Sequence, residues 1–193
     1  NEELSNENLY NVNRLSASYY HSTGDLDKAN EFNKRTIDFF EKMNSSMGIM
    51  VTRINFANLE LTLGNYNEAL KYLELNEQTH NPELLAANNG MLGMIYTLQE
   101  RYDEALLPLE EAMKILNTGI ASMMLLKCKT YLTYSQKMTD KTIESDELLK
   151  LINTSDYIEE DVNYFLYLIF EQNSYLETAY NQIQEKADNL ESK

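Results

Sequence analysis

A chain of 193 residues can form one compact domain or a short repeat array, and 43% hydrophobic with 24% charged residues marks a folded protein, not a disordered one. A formal net charge of −15 repels phosphate backbones and anionic lipid surfaces, so neither nucleic acid nor membrane is an expected partner. Six Gly and two Pro are too few to punctuate an all-β fold, which needs a turn about every 8–12 residues, so helices are expected throughout.

The chain begins at Asn1 and not at Met, which reads as a piece of a longer protein or a processed form. No stretch approaches the ~20 consecutive apolar residues of a membrane span, and no signal-peptide pattern opens the sequence. One cysteine, Cys128, forbids an internal disulfide and fits a reducing compartment, so the expected location is the cytoplasm. The sequons at Asn44 and Asn153 read as chance matches.

Three segments repeat along the chain. The first runs Ala17-Ser18-Tyr19-Tyr20 and then Gly24-Asp25-Leu26-Asp27-Lys28-Ala29. The second pairs Phe56-Ala57 with Leu63-Gly64-Asn65-Tyr66-Asn67-Glu68-Ala69. The third has Leu92-Gly93-Met94-Ile95-Tyr96, then Glu100-Arg101-Tyr102-Asp103-Glu104-Ala105, with Ala112 seven residues on. Ala29 to Ala69 is 40 residues and Ala69 to Ala105 is 36.

These segments resemble the tetratricopeptide repeat (TPR), a helical hairpin with a small residue in its first helix (A), an aromatic three later, and a Gly-Asp-Tyr-x-x-Ala turn into its second helix (B). The family period is about 34 residues, so the helices or turns here are slightly lengthened. The resemblance implies that Ala17, Ala57 and Gly93 let helix A approach helix B, and that Ala29, Ala69 and Ala105 supply the reciprocal gap. Leu26, Tyr66 and Tyr102 would then plug the space past the turn. Gly24 and Gly64 suit the left-handed conformation that ends a helix. Glu100 stands in that place in the third copy, so its turn is expected to use another geometry.

Beyond the repeats, Asn81-Pro82-Glu83 is a helix start, with Asn as cap and Pro at the first helical position. Pro108 falls inside the third B helix and is expected to kink it or mark an irregularity. Residues 118–137 read as an apolar-rich helix with Cys128 and Tyr131 at the small-then-aromatic positions. A short helix follows over 141–152, then a break at Asn153-Thr154-Ser155-Asp156, then a last pair over 157–172 and 174–191. The expected architecture is thus an all-α, TPR-type solenoid, a right-handed superhelix of about five antiparallel hairpins. It forms a single domain over 1–193, with repeats near 10–43, 50–79 and 86–117 and degenerate hairpins at 118–153 and 156–192. The polar stretch from Ile183 to Ser192 is expected to cap the array. The segment Tyr175-Leu176-Glu177 through Ala187 is similar to the closing repeat of TPR regions in large signalling proteins, which couple the repeats to nucleotide cyclase, kinase or ATPase modules.

Nothing in the sequence assembles a reaction centre. His21 and His80 fall in different hairpins, and with one cysteine they cannot supply the three or four ligands a zinc ion needs. His21 ends the first A helix, where a cation meets the helix dipole, and His80 reads as a loop residue. Cys128 reads as core packing, not as a nucleophile. Gly90-Met91-Leu92-Gly93 lies within a helix and lacks the Lys-Ser/Thr of a phosphate loop. No catalytic residue, cofactor or metal is expected, and the chain does not read as an enzyme.

The resemblance implies a concave groove lined by the A helices. Projected onto this chain, the groove receives Asn11, Arg14 and Ser18 from the first A helix. Val51, Ile54, Asn55, Asn58 and Thr62 come from the second, and Ala87, Met91, Met94 and Thr97 from the third. Amides that donate and accept together suit the backbone of a bound peptide, so the expected partner is a protein or peptide. The carboxylate clamp of one TPR subclass is excluded, because only Arg14 and Asn55 fit its positions while Ser18, Ala87 and Met91 do not. The leading expectation is a regulatory or assembly domain of a larger protein. The alternatives are a homodimer through 157–191, using Tyr164, Phe165, Tyr167, Leu168 and Phe170, or a sensor for a short signalling peptide.

Overall fold

The computed structural model describes residues 6–76, 80–116, 122–143 and 145–191. Among these residues the chain forms ten helices and no strand, an all-α, TPR-like helical repeat. In chain order they are α1 (Asn6–Ser22), α2 (Leu26–Lys42), α3 (Ser46–Thr62), α4 (Tyr66–Glu74) and α5 (Pro82–Leu98), followed by α6 (Tyr102–Leu116), α7 (Ser122–Met138), α8 (Ser145–Thr154), α9 (Glu160–Phe170) and α10 (Asn173–Glu191). The helices divide into two compact units, residues 1–78 with 189–193, and residues 79–188.

Side-chain caps open several of these helices. Asp25, Ser45 and Asn81 each accept a backbone N–H three residues on, from Lys28, Gly48 and Leu84. Pro82 follows Asn81 in the first turn of α5, as the sequence predicts. The turns that close α1, α2, α3, α5, α7 and α9 share one device, a residue at positive φ. Gly24 (φ 79°) and Gly64 (φ 75°) take it as expected. Asn44, Asp140 and Glu171 take it as well, without being glycine.

Glu100 corrects the sequence reading, because it adopts the same left-handed conformation (φ 60°) and not a different turn. The Glu100 N–H donates to Thr97 O at 3.0 Å and the Arg101 N–H to Tyr96 O at 2.9 Å, which holds the residue there. The Arg101 guanidinium then lies 4.4 Å from the Tyr96 ring centroid and donates to both carboxylate oxygens of Glu104. α6 remains one continuous helix through Pro108.

In the first unit α1 packs on α2, α2 on α3 and α3 on α4. Ala17, Ala29, Ala57 and Ala69 are all buried at these crossings. At Gly48 an added Cβ would come within 2.1 Å of the Phe40 ring, so the start of α3 lies directly against α2. Asn76 donates to Met50 O at 3.0 Å and Arg53 to Leu75 O at 3.0 Å, tying the end of α4 back onto α3.

In the second unit α5 pairs with α6, and α7 packs against α5, α6, α8 and α9. The close approach expected at Gly93 is present: a Cβ there would lie 2.3 Å from Leu109 Cγ and 3.1 Å from Ala105 O. Met94, Leu109, Met113, Tyr131 and Phe165 form the main core beside Cys128, while Leu126, Leu148, Val162, Leu166 and Ile169 form a second one. Lysines of α7 clasp its neighbours. Lys127 pairs with Glu159 (2.6 Å) and Asp161 (2.9 Å), and Lys129 with Glu147 (2.6 Å). Lys137 donates to the carbonyls of Leu168 and Ile169 at the C-terminal end of α9, where a cation meets the negative pole of the helix.

Candidate protein-binding face

Asn11, Arg14, Ser18 and His21 recur at i, i+3, i+7 and i+10, so they form one stripe along α1. Asn55, Asn58 and Thr62 form a stripe of the same spacing along α3. Arg14, Ser18 and Thr62 are exposed, and Asn11, Asn55 and Asn58 are half-buried. The two stripes meet at their ends, where His21 Nε2 lies 2.9 Å from Thr62 Oγ1. The Thr62 hydroxyl donates to Asn58 O at 3.0 Å, which leaves its lone pair to accept from the imidazole N–H. His21 does lie in the last turn of α1, but beyond the helix-dipole role it links α1 to α3.

The face that results carries amides, hydroxyls, one imidazole and one guanidinium. Arg14 lies 6.0 Å from the Tyr10 ring centroid, which steadies a cation on an aromatic face. On a chain of net charge −15 this is a patch without a carboxylate among its named residues.

Of the four groove residues projected from α5, Met91, Met94 and Thr97 are buried and Ala87 is half-buried. Met94 belongs to the core that includes Leu109, Tyr131 and Phe165. Thr97 Oγ1 bonds Gly93 O at 2.8 Å and Ser135 Oγ at 2.9 Å, so it is occupied in joining α5 to α7. The sequence projection treats every A helix as alike, and it does not register that α7 covers this side of α5.

Phe165, Leu168 and Phe170, offered from sequence as a self-pairing surface, pack into or against the cores of the second unit, while Tyr164 stays exposed. His80 is an exposed loop residue, as expected. Cys128 is fully buried, and burial pushes its thiol up to about 12, which removes the thiolate that a nucleophile or metal ligand needs. Among the described residues no group of three or more His, Cys, Asp and Glu is placed to hold a metal ion. No helix of the described residues is long and apolar enough to cross a membrane.

Sequence reasoning misses the contact between His21 and Thr62, 41 residues apart. His21 is the penultimate residue of α1 and Thr62 the last of α3, and this common placement at the C-terminal end of an A helix is the signal from which their proximity follows.

Residues 90–117, from the middle of α5 through α6 and one residue beyond, match the family model for the tetratricopeptide repeat. The match falls on the third repeat, with Gly93, Ala105 and Ala112 inside it, and it supports the resemblance that those residues carry. No curated protein and no solved structure matches the chain.

Proposed function

We propose that this chain is a protein- or peptide-binding scaffold without chemistry of its own, acting as a regulatory or assembly domain of a larger cytoplasmic protein. The TPR match and the helical-repeat fold support a role in protein–protein interaction. The observation that carries the binding site is the pair of polar stripes on α1 and α3, joined where His21 meets Thr62. Side-by-side amides offer donors and acceptors to an extended backbone, and Arg14 adds a cation for a partner carboxylate. The single buried thiol is consistent with a reducing compartment.

The test is affinity capture from an extract of the source cells, comparing the parent chain with the combined variant Arg14→Ala, Asn55→Ala and Asn58→Ala. Because these side chains are exposed or half-buried, helicity by circular dichroism is expected to be unchanged while capture falls at least tenfold. Undiminished capture by the variant would move the binding site off this face.

A further inference from the structure

α10 is 19 residues long. Among its described side chains only Ala179 is buried, with Tyr175 and Gln182 half-buried. The shorter α6 buries Ala105, Leu106, Leu109, Ala112 and Met113. Four residues past the anchoring Ala69 and Ala105, Leu73 and Leu109 are fully buried, and Leu109 lies against Gly93 of its own A helix. The same position in α10 is Ile183, four past Ala179, and it is 53% exposed. Twelve residues before Ala179, where the clear repeats have Ala17, Ala57 and Gly93, α9 carries Tyr167.

The bonds that join α10 to α9 are mostly polar. Asn163 donates to Gln182 Oε1 at 3.0 Å, Gln182 Nε2 donates to Ile158 O at 2.8 Å, and Lys186 pairs with Glu160. The Phe170 and Tyr175 rings add a contact, with centroids 6.2 Å apart. Polar bonds of this kind exchange for bonds to water when a helix lifts away, so each holds it less firmly than a buried leucine would. The second carboxylate oxygen of Glu160 is buried without a hydrogen-bond partner among the described residues, and opening returns water to it. The cores rest on other helices. The main one draws on α5, α6, α7 and α9, and the second on α7, α8 and α9, with Tyr175 packed against its edge.

We propose that α10 is a latch helix, which lifts off α9 and returns while both cores of the second unit stay intact. Lifting uncovers Asn163 and the Ile158 carbonyl, so the unit gains a polar edge that the closed form covers. The second unit thereby has a change of state that leaves its apolar packing in place. A detached helix of this length and polarity is marginal in water, so its amides exchange with solvent whenever it lifts.

Hydrogen exchange read by mass spectrometry on the 193-residue chain tests this, comparing the middle of α10 with α7 in the parent and in Gln182→Ala. In the parent, α10 amides are expected to exchange roughly a hundredfold faster than those of α7. Alanine is the better helix former, so the substitution slows exchange in α10 if that helix merely frays. The latch predicts the opposite. Loss of both Gln182 bonds is expected to speed exchange in α10 about tenfold and to leave α7 unchanged. Equal protection of α10 and α7 in the parent overturns the proposal, since α10 then opens only when the whole unit unfolds. A variant whose α10 exchanges no faster than the parent's overturns it too, as does one in which α7 accelerates equally.

Discussion

At Asn33 a polar residue sits where α4 and α6 carry Leu73 and Leu109, and all three are buried. The Asn33 Oδ1 has no hydrogen-bond partner among the described residues, so folding strips its water without replacing it. Replacement by leucine supplies the side chain that the other two hairpins use. Asn33→Leu is expected to stabilise the chain by about 1–2 kcal/mol, read as a raised midpoint in urea denaturation with an unchanged slope; a lowered midpoint would show that the site cannot hold the larger side chain. Glu100 makes a related point about single residues. Its side chain gives no sign of a left-handed turn, yet the backbone bonds at Thr97 and Tyr96 impose one. The small residues are different. Gly93 and Ala105 are legible from sequence because the reason for their size, a close helix crossing, also sets Ala17, Ala57, Ala29 and Ala69 in the other clear repeats, and at Gly93 it leaves no room even for a Cβ.

Among the elements, α7 does most to organise the second unit. It reads in sequence as an apolar-rich helix with Cys128 and Tyr131 at the small-then-aromatic positions, a reading that assigns no part to Lys127, Lys129 and Lys137. The structure instead turns Lys127 toward the start of α9, where it faces Glu159 and Asp161 while Tyr131 donates its hydroxyl to Asp161 at 3.0 Å. Burial alone would push the Lys127 ammonium down, and the carboxylates of Asp161 and Glu159 more than reverse this, holding it above the ordinary lysine range. Lys127→Met strands two partly buried carboxylates and is expected to cost about 1–3 kcal/mol at neutral pH. Because the folded value is raised, this contribution is fully present below the ordinary lysine value of 10.5 and is lost as pH rises through the folded value. The stability gap between parent and variant, measured by urea denaturation, is therefore expected to be constant from pH 7 to pH 9 or so and to narrow only in stronger alkali. A gap that varies with pH across the neutral range would assign it to another group. α9 and α10 are joined by the polar contacts of Asn163 and Gln182 and by the Phe170–Tyr175 ring contact, with Tyr167 standing where the clear repeats have a small residue.

For the molecule as a whole, 31 acidic residues face 16 basic ones. Most of the acidic side chains are exposed, so the folded chain repels itself, and salt screens that repulsion over distances of about 8–10 Å. The thermal midpoint is expected to rise as sodium chloride is increased from about 10 mM to 150 mM, because the Debye length falls from about 30 to 8 Å. A falling midpoint would mean that the exposed pairs, such as Arg35 with Glu31 and Lys71 with Glu68, outweigh the excess of negative charge. The named residues of the polar stripes on α1 and α3 include no carboxylate, and Arg14 adds a cation to them.

The sequence alone determined the helical class, the three clear hairpins and the small residues at their crossings. Each follows from local spacing that one helix pair must satisfy by itself. The cap at Asn81 and the left-handed glycines at 24 and 64 were legible for the same reason. The tertiary structure decided which polar residues remain available to a partner. Met94 carries the same repeat register as exposed Ser18, yet Met94 and Thr97 are both buried beside α7, and no spacing within α5 reports the presence of α7. Likewise the apolar density of α9 reads as an exposed patch until Phe165 is seen against Tyr131 and Tyr134. Burial is a property of neighbours distant in sequence, and a repeat pattern specifies the hairpin before it specifies what the hairpin touches.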